Sequence, residues 1–532
     1  MNLTSLEPSN FIGIIISIIL IYVAKFYYKY FTRPNPLPGP FPLPFIGNLF
    51  QLIYYAKGNK AALNKMLHEK HGDIYEMYIG DLRRIVLARA DYVEKLMSPS
   101  KKNNYILKLE NDIFVVASKR GILFNNDIPS WRFNRQFLTQ AILTPSFSKE
   151  VLYRTPILFK ELNGYWKEIG DEEPIDFAIW IHKFTTEIIF QLIVGLKINA
   201  LVKYFNDNVE SSMKIHVKKN PIDEEIENFA ELVDNELSYF AFALTYPAFI
   251  RHTILKKRNK EMHEKKDKTI KLTMKVINYR RNEIEQAPVH EELRHDMLTS
   301  LIIANTERDT NKYQHNDKEF TKPLTDDQIN QILLESIIGG VDTTANLLCY
   351  VIYYLCHYPD VLVRLRQEHD TIFGFDQNRQ ITMEDLSKMH YTEAIIKECS
   401  RLVNTVKSSQ RLSSTSDTVA GYEWPANTTF IAYFEGIHHN PIYWKDSHKF
   451  NPDRFMEAEP QKNTFLMFGG GSRICPGRKL AFIEMKCLIT LIYRNLDITL
   501  VDMNAPLKLK DTIVNICTEL KVRVKQREGV RV

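Results

Sequence analysis

The sequence contains little cysteine and no paired cysteine motif. Six cysteines occur in 532 residues, none before position 349, and no two form a C-x-x-C pair. They are Cys349, Cys356, Cys399, Cys475, Cys487 and Cys517. This distribution argues against a disulfide-stapled secreted scaffold and against a cysteine-based zinc cluster. It favours a reduced compartment and one chemically special thiol.

The chain also lacks internal repeats and any long Ser/Gly linker that would divide it. Hydrophobic residues make up 45% of the sequence, which is enough for a sizeable core. We therefore predict one compact catalytic domain over most of the chain.

A strong overall charge is absent as well. The net charge is +5, and its excess is concentrated between Arg251 and Arg281, where twelve Lys or Arg stand against three acidic residues. Ile270, Met274 and Ile277 recur there at helical spacing, which predicts a long helix with a solvated basic face and anionic lipid as a candidate neighbour. Aromatic stacking platforms are missing, so no nucleic-acid partner is expected.

The long hydrophobic run that is present lies at Phe11–Ala24. Alone it is short for a membrane span and would also suit a signal peptide. No Lys or Arg precedes it, no small-residue cleavage site follows, and Phe26–Tyr28 lengthen it. We predict an uncleaved, single-pass anchor at residues 1–33. Because basic residues follow the run, the positive-inside rule places the N-terminus in the lumen and the body in the cytosol, at the endoplasmic reticulum membrane.

Prolines occupy every second position from Pro34 to Pro44. They cannot continue a helix and favour a stiff extended strut, so we predict a proline-rich hinge over residues 34–50. Two short strands around a turn are predicted beyond it, at Tyr75–Gly80 and Arg84–Ala88. Residues 51–532 then form the catalytic domain.

A capping box at Thr325–Gln328 begins a predicted long helix. Halfway along it lie Gly339 and Gly340, each of which costs about 1 kcal/mol relative to alanine, and we expect them to admit a flat cofactor. Thr343 is placed to bond back to the Gly339 carbonyl and open a groove for dioxygen. Asp342 is expected close to a proton path.

The segment Phe468–Gly477 reads F-x-x-G-x-R-x-C-x-G. Its three consecutive glycines let the backbone approach another group closely. Cys475 stands before a helical run that begins at Arg478, so its sulfur would lie near unpaired N–H groups and the positive end of a dipole. A lone cysteine is otherwise a small buried hydrophobe. The surrounding pattern makes Cys475 a candidate thiolate ligand of iron.

These motifs, in this order, resemble the cytochrome P450 family. The resemblance rests on G-G-x-D-T at 339–343, E-x-x-R at 398–401, P-x-R-F at 452–455 and the cysteine segment, and it covers nearly everything from Pro34 onward. The fold that it implies is mainly α with small β-sheets. This is the cytochrome P450 fold, a single large haem-binding domain after an N-terminal transmembrane helix.

The cofactor implied by the resemblance is haem b, with Cys475 as the metal ligand. Propionate contacts would come from arginines and an indole N–H. Phe468 would pack beside the cysteine loop, and Gly471 and Gly477 would keep the backbone near the sulfur. The residues that the resemblance assigns to haem binding are Trp131, Arg135, Gly339, Gly340, Arg411, Phe468, Gly471, Arg473 and Gly477.

The resemblance carries catalytic roles over to two residues of the central helix. Thr343 would orient bound oxygen and water, and Asp342 would relay protons. Glu398, Arg401 and Arg454 would form a charge triad that holds the loop presenting the thiolate, which is a structural role.

The resemblance is less informative for the segments that would surround the substrate. The family usually places prolines shortly after Arg401, and this chain has none, so we expect the pocket wall to differ there. Residues 102–123 would form a variable loop over the substrate. Residues 237–250 are strongly aromatic and suit either a helix end packed in the core or a lipid-facing lid. Adjacent His438 and His439 are not expected to bind iron.

The reaction implied is monooxygenation of a lipophilic substrate, by hydroxylation or epoxidation. No segment resembles a flavin or nicotinamide site, so NADPH electrons are expected through NADPH–cytochrome P450 reductase, with cytochrome b5 as a further candidate donor. Arg478, Lys479 and Lys486 are the predicted basic docking face. Two alternatives stay open. One is a haem-thiolate isomerase or dehydratase, which tends to lack the acid–alcohol pair, and the other is a non-catalytic haem-binding protein.

Overall fold

The computed structural model describes residues 8–57, 59–100, 103–108, 121–216, 238–243, 245–288, 291–309, 322–374, 376 and 379–527. The helices are α1 (Pro8–Phe31), α2 (Leu49–Tyr54), α3 (Lys60–His71), α4 (Ile128–Ile142), α5 (Pro145–Ile169), α6 (Phe177–Ile193), α7 (Ala200–Asn208), α8 (Ala248–His252), α9 (Lys256–Gln286), α10 (Met297–Ile303), α11 (Asp326–His357), α12 (Pro359–Phe373), α13 (Met383–Lys388), α14 (His390–Leu402), α15 (Phe434–His438), α16 (Arg454–Glu457) and α17 (Arg478–Asn495).

The strands are β1 (Ile74–Ile79), β2 (Leu82–Leu87), β3 (Ile175–Asp176), β4 (Ser408–Leu412), β5 (Asp417–Val419), β6 (Tyr422–Trp424), β7 (Thr429–Tyr433), β8 (Leu496–Leu500), β9 (Lys508–Asp511), β10 (Asn515–Glu519) and β11 (Lys521–Gln526). They form a four-stranded sheet in the order β1-β2-β7-β4, a three-stranded sheet in the order β3-β11-β8, and two pairs. The predicted fold class, mainly helical with small sheets, is confirmed.

Helix α11 runs through the main hydrophobic core. It begins at the predicted capping box, where the backbone N–H of Thr325 donates to Gln328 Oε1 at 2.9 Å and the backbone N–H of Gln328 donates to Thr325 Oγ1 at 3.3 Å. Most of its apolar residues from Ile329 to Leu355 are buried in one cluster with those of α6. Side chains on α11 are therefore held in place from several directions.

The four-stranded sheet separates two smaller hydrophobic clusters. Strands β1 and β2 are antiparallel and confirm the predicted pair of strands, whereas β2 and β7 are parallel and β4 is antiparallel to β7. Ile85 and Phe430 lie in the cluster on one face. Val86 and Ile431 lie on the other face, packed against α2 and α3.

The N-terminal helix is long and apolar enough to cross a membrane, by length and composition. The proline-rich segment that follows, predicted as a stiff extended strut, lies along β1. The backbone N–H of Glu76 donates to the Pro38 carbonyl at 2.9 Å, and a Cβ on Gly39 would stand 2.1 Å from the Glu76 carbonyl oxygen.

Most of the basic stretch is the helix α9, whereas Arg251 lies in α8, and both Arg251 and Arg280 are buried. Ile277 is buried in the main cluster with Ile270 and Met274 packed against it, while Lys257 and Lys260 are exposed, as predicted.

The aromatic stretch has buried and exposed members, and the lipid-facing lid stays a prediction. Tyr239 and Phe240 are buried in the core, and Phe249 is exposed. Residues 237 and 244 lie outside the described ranges.

Candidate active site

A cavity of about 580 Å³ lies between α11, the cysteine loop, α17 and the four-stranded sheet. Gly339, Gly340 and Thr343 line it from the central helix, and Phe468 and Cys475 line it from the loop. The two motifs that are far apart in the chain therefore face one space.

Cys475 is exposed to this cavity, whereas the other five cysteines are buried or half-buried. Its backbone N–H donates to the Phe468 carbonyl at 3.0 Å, which closes the loop beneath the sulfur. Burial raises the pKa of the thiol, and the backbone N–H of Gly477 with the charges of Arg135 and Arg478 opposes that rise only in part. The groups expected to favour the thiolate lie beside the sulfur, and coordination to a metal would favour it further.

The loop glycines have different neighbours. A Cβ on Gly477 would lie 3.8 Å from Cys475 Sγ, which fits the expected proximity to sulfur. Gly471 does not have that role, because a Cβ there would stand 2.7 Å from the carbonyl oxygen of Ser98. Its φ of +67° also lies in the left-handed region that favours glycine. Gly471 thus shapes the contact with the segment at Met97 and Ser98.

Four cations converge at the same end of the cavity: Lys108, Arg135, Arg411 and Arg473. Burial lowers the pKa of Arg411 to about 10, and burial followed by the charges of Arg411 and Arg135 lowers the pKa of Arg473 to about 9. Burial and the two neighbouring arginines likewise lower the pKa of Lys108 well below its ordinary value. Such crowded positive charge suits a ligand that carries carboxylates.

Backbone carbonyls hold Arg473 in its position. Its Nε donates to the Ile106 carbonyl at 2.9 Å and its Nη1 to the Ile122 carbonyl at 3.0 Å. Its guanidinium carbon lies 4.2 Å from the ring centroid of Trp131, which is buried. Within the described ranges, the Trp131 Nε1 has no hydrogen-bond partner. Arg135 donates from Nη2 to the Ile474 carbonyl at 2.5 Å.

These residues fit a haem. A haem carries two propionates that the cations and the unpartnered indole N–H of Trp131 can bind, and an iron that a cavity-facing thiol can ligate. The structure brings together the cysteine and the arginines named from the sequence. Lys108 was not predicted, because it lies in a loop segment with no motif of its own.

The central helix meets the cavity as predicted at Thr343. Its Oγ1 donates to the Gly339 carbonyl at 2.7 Å. A Cβ on Gly339 would meet nothing within 4 Å, so this position opens into the cavity. Gly340 differs from the expectation, because a Cβ there would stand 2.8 Å from Ile189 Cδ1. The Ile189 side chain of α6 therefore packs closely against the second glycine.

Asp342 points away from the cavity. Its side chain is buried and its Oδ1 is bonded to Nε2 of His182 on α6. The acid and the alcohol of the predicted pair thus lie on different sides of α11. His182 was missed from the sequence, since it lies 160 residues away.

The structure brings the charge triad together. Arg401 donates to both oxygens of Glu398, at 2.7 Å from Nε and 2.8 Å from Nη2, and Arg454 Nε donates to Glu398 Oε1 at 3.3 Å. Arg401 Nη1 also donates to the carbonyls of His438 and Ser447, at 2.9 and 2.6 Å. The cluster ties α14 to the chain between α15 and α16.

His438 has a structural position and does not face the cavity. Its Nε2 accepts the backbone N–H of Leu466 at 2.7 Å, and its Nδ1 lies 2.5 Å from Asn404 Nδ2. Burial, with His439 and Arg401 nearby, lowers the pKa of His438 well below its ordinary value, so its ring is neutral.

Two cavity-lining carboxyls were missed from the sequence. Glu335 Oε2 accepts the backbone N–H groups of Ile122 and Leu123 at 2.6 and 3.0 Å, and burial raises its pKa to about 7. Glu484 on α17 is fully buried, neither of its oxygens is hydrogen-bonded to a described residue, and burial raises its pKa to about 8. The sequence does contain one signal for Glu484, which is an acidic residue placed among apolar residues in a predicted helix.

The strand after Arg401 forms a polar cavity wall. Without prolines, β4 places Ser408, Ser409 and Gln410 on the lining. Of the expected variable loop, residues 109–120 lie outside the described ranges, and Ile122 and Leu123 line the cavity.

The expected docking face requires one correction. Lys486 is buried, and its Nζ lies 2.6 Å from Glu393 Oε2 and donates to the Leu386 carbonyl at 3.1 Å. Arg478 and Lys479 are exposed. The predicted docking face is therefore reduced to these two residues.

Comparison with known proteins gives a consistent result. The family model described as "Cytochrome P450" matches residues 37–524. The chain is 26% identical over 258 residues to beta-amyrin 11-oxidase of Glycyrrhiza uralensis, covering 48% of each chain. It is 22% identical to 3,9-dihydroxypterocarpan 6A-monooxygenase of Glycine max, over 84% of each chain. It is 23% identical to the bifunctional cytochrome P450/NADPH–P450 reductase ascE of Acremonium egyptiacum, over 84% of this chain and 39% of that protein. The chain spans about half, or less, of the length of several curated relatives that it matches.

Proposed function

Because the chain belongs to the cytochrome P450 family, we propose that it is a haem-thiolate monooxygenase that acts on a lipophilic substrate. One atom of O2 enters the substrate as a hydroxyl or epoxide oxygen. The other leaves as water, with two electrons from NADPH and two protons. The observation that carries the proposal is the cavity that Cys475, Thr343 and a group of buried cations share.

The residues that would hold haem b surround one end of the cavity. Cys475 would ligate the iron, and Arg135, Arg411, Arg473 and the Trp131 indole would bind the propionates. When bound, a cysteine-ligated haem supplies reductive activation of O2, because the thiolate donates electron density that favours cleavage of the O–O bond.

Thr343 would position water within the cavity. Its hydroxyl hydrogen is already donated to the Gly339 carbonyl at 2.7 Å, so its lone pairs are left to accept a hydrogen bond from the cavity side. Gly339 leaves open space beside it. The side chain thus acts as a fixed acceptor.

Asp342 and His182 would hold the proton supply. The carboxylate is buried next to Thr343 in the chain, and the side chain of its imidazole partner is 26% exposed. The pair therefore links a buried position on α11 to a partly exposed imidazole on α6.

Electrons would come from NADPH–cytochrome P450 reductase, with cytochrome b5 as a further candidate donor. One relative carries P450 and NADPH–P450 reductase in a single bifunctional protein by its name. Arg478 and Lys479 would form the docking face. Reversing both charges should slow reduction at low salt and not at high salt. Unchanged reduction at low salt would rule this face out.

The apolar helix α1 supports an anchor in the endoplasmic reticulum membrane with the body in the cytosol. Proteolysis of sealed microsomes tests this orientation. The body should be digested without detergent, and protection of the body would contradict it.

The carbon monoxide difference spectrum of the reduced protein tests the main proposal. The wild type should show the strongly red-shifted Soret band of thiolate-ligated haem, Cys475→Ala should lose it, and the control Cys356→Ala should keep it. With reductase and NADPH, the wild type should oxidise lipophilic compounds. A band typical of histidine ligation would overturn the assignment of Cys475. Product formed from peroxides without reductase would indicate an isomerase or dehydratase, and bound, reducible haem that gives no product would indicate a non-catalytic protein.

A further inference from the structure

Alternate residues of β4 have different surroundings on the cavity wall. Ser409 faces the cations, and its Oγ accepts from Lys108 Nζ at 3.3 Å and from Arg411 Nη1 at 2.5 Å. Ser408 and Gln410 flank it along the strand, so their side chains lie on the other side of β4. Both residues line the cavity, and neither side chain is hydrogen-bonded to a described residue.

Ser408 and Gln410 are polar side chains next to apolar ones. In the sheet, Gln410 lies opposite Ile431 of β7, and Ser408 lies opposite Tyr433. Ile431 and Tyr433 belong to the hydrophobic cluster that also contains Met77, and Ile431 and Met77 line the cavity. Hydrogen-bonding groups are therefore set into a wall that is otherwise apolar.

Thr405 adds a third group of the same kind. It lies between α14 and β4, is buried and lines the cavity. Its hydroxyl has no hydrogen-bond partner in the described part of the chain. These side chains occur in the segment where the family pattern has prolines, so the polar wall distinguishes this chain from that pattern.

Unpaired polar groups on such a wall select among lipophilic ligands. Water can satisfy them while the cavity is empty, but a ligand that fills the cavity displaces that water. A hydrocarbon would leave the groups unpaired, which is unfavourable, whereas a ligand with an oxygen atom at this place would pair them. Serine hydroxyls and glutamine amides both donate and accept and carry no charge, so they suit an uncharged oxygen group.

The polar wall adjoins the proposed haem site. Arg411, which follows Gln410 directly, lies among the cations at the cysteine end of the cavity. Its Nη2 donates to the Gly470 carbonyl at 3.5 Å, which joins β4 to the cysteine loop. A ligand group held at Ser408 and Gln410 would therefore fix the ligand close to the reacting end of the cavity.

We propose that Ser408 and Gln410 bind a hydroxyl or carbonyl oxygen that the lipophilic substrate already carries. This inference rests on the proposed monooxygenase function and specifies its substrate class, which is an alcohol or a ketone and not a hydrocarbon. The bound oxygen group orients the molecule so that a different carbon faces Cys475. The two residues thus determine specificity, and the product carries two oxygen functions.

Equilibrium binding of 1-dodecanol, 2-dodecanone and tridecane to the haem-loaded full chain tests the proposal. The readouts are the substrate-induced Soret shift and, independently of the haem, equilibrium dialysis with radiolabelled ligand. Gln410→Met keeps the length of the side chain and removes its hydrogen bonds. We expect it to raise the Kd of the alcohol and the ketone about 5- to 10-fold, and that of tridecane less than about twofold.

Two further variants make the comparison specific. Ser408→Ala should raise the Kd of the oxygenated compounds about threefold, and it decides the matter if Gln410→Met does not bind haem. Gln367→Met is the matched control, because it makes the same substitution at an exposed position of α12, and it should leave all three Kd values unchanged. 1-Adamantanol and 1-methyladamantane repeat the comparison on a rigid skeleton.

The two oxygenated compounds distinguish the two ligand groups. A loss confined to the alcohol assigns the site to a hydroxyl, and a loss confined to the ketone assigns it to a carbonyl. Equal weakening of alcohol and alkane would overturn the proposal, as would unchanged binding in both variants or no binding of any oxygenated compound to the wild type. Failure of the monooxygenase assignment looks different, since it removes the thiolate band itself, whereas failure of the Gln410 proposal leaves that band intact.

Discussion

Glu398 and Glu484 are two equally buried carboxyls with contrasting surroundings. Both side chains have no exposed surface. Glu398 accepts two hydrogen bonds from Arg401, one from the backbone N–H of Asn451 at 2.9 Å and one from Arg454. Glu484 accepts none in the described part of the chain.

The difference shows that the hydrogen-bond partners of a buried carboxyl determine whether it carries a charge. Where a carboxylate is fully hydrogen-bonded it can stay ionised, and breaking the set leaves a buried charge that is expensive. Where partners are missing, the carboxyl takes up a proton instead, as the raised pKa of Glu484 indicates. Burial alone therefore does not tell which role an acid has.

Removing the main partner of Glu398 should have the largest effect. Arg401→Met leaves the carboxylate buried with only Arg454 and a backbone N–H, and we expect a loss of about 3–5 kcal/mol in the free energy of unfolding. Urea denaturation measures it. A loss below 1 kcal/mol would mean that the cluster contributes little to stability, and the charge triad would not be structural.

Glu484→Gln should change the pH dependence of stability. Between the ordinary pKa of 4.5 and the folded value of about 8, the folded state binds more protons than the unfolded state, so stability falls as pH rises. For one such group the fall between pH 4.5 and pH 7 is about 3 kcal/mol. Unfolding measured across this range should show that the variant lacks this slope. Parallel curves for variant and wild type would contradict the protonated state of Glu484.

Arg454→Met should have a smaller effect than Arg401→Met. Its side chain is 12% exposed and its bond to Glu398 is longer, at 3.3 Å. Water can replace part of the interaction, so we expect a loss of about 1–2 kcal/mol. The same urea titration gives the value. A loss as large as that of Arg401→Met would show that the three charges act as one unit.

The smallest effect is expected for an exposed pair. Lys388 and Glu384 approach to 2.7 Å, with side chains 56% and 76% exposed. Lys388→Met should change the free energy of unfolding by about 0.5 kcal/mol or less, because solvent screens such pairs. Thermal unfolding at two salt concentrations tests this. A larger loss of stability that does not depend on salt would show that the exposure of an ion pair does not determine its contribution to stability.

The sequence predicted local features of the site well. The capping box joins Thr325 and Gln328, and the Thr343 hydroxyl donates to the Gly339 carbonyl. In both cases the partners are three or four residues apart, so helix geometry alone determines which residues meet. The pair of strands at β1 and β2 likewise follows from short-range alternation. The ordered motifs were specific enough to place Cys475 and the arginines at one cavity.

The features that were missed depend on contacts across the fold. Asp342 is hydrogen-bonded to His182, which lies 160 residues away in the chain. Glu335 accepts a hydrogen bond from the backbone of Ile122, which lies 213 residues away. Lys486 had the pattern of a surface cation and instead pairs with Glu393. Periodicity states which side of a helix a residue occupies, but it does not state which neighbour packs against that side.

The contact of Gly340 with Ile189 has a consequence for any attempt to redesign the central helix. Since a methyl group at residue 340 would stand 2.8 Å from Ile189 Cδ1, we expect substitutions at the two positions to depend on each other. Gly340→Ala alone should be selected against, but it becomes tolerable once Ile189→Val has removed the terminal methyl group. Homologues with a bulkier residue at the second glycine should therefore carry a shorter side chain at the matching place on α6, so the pair diverges jointly.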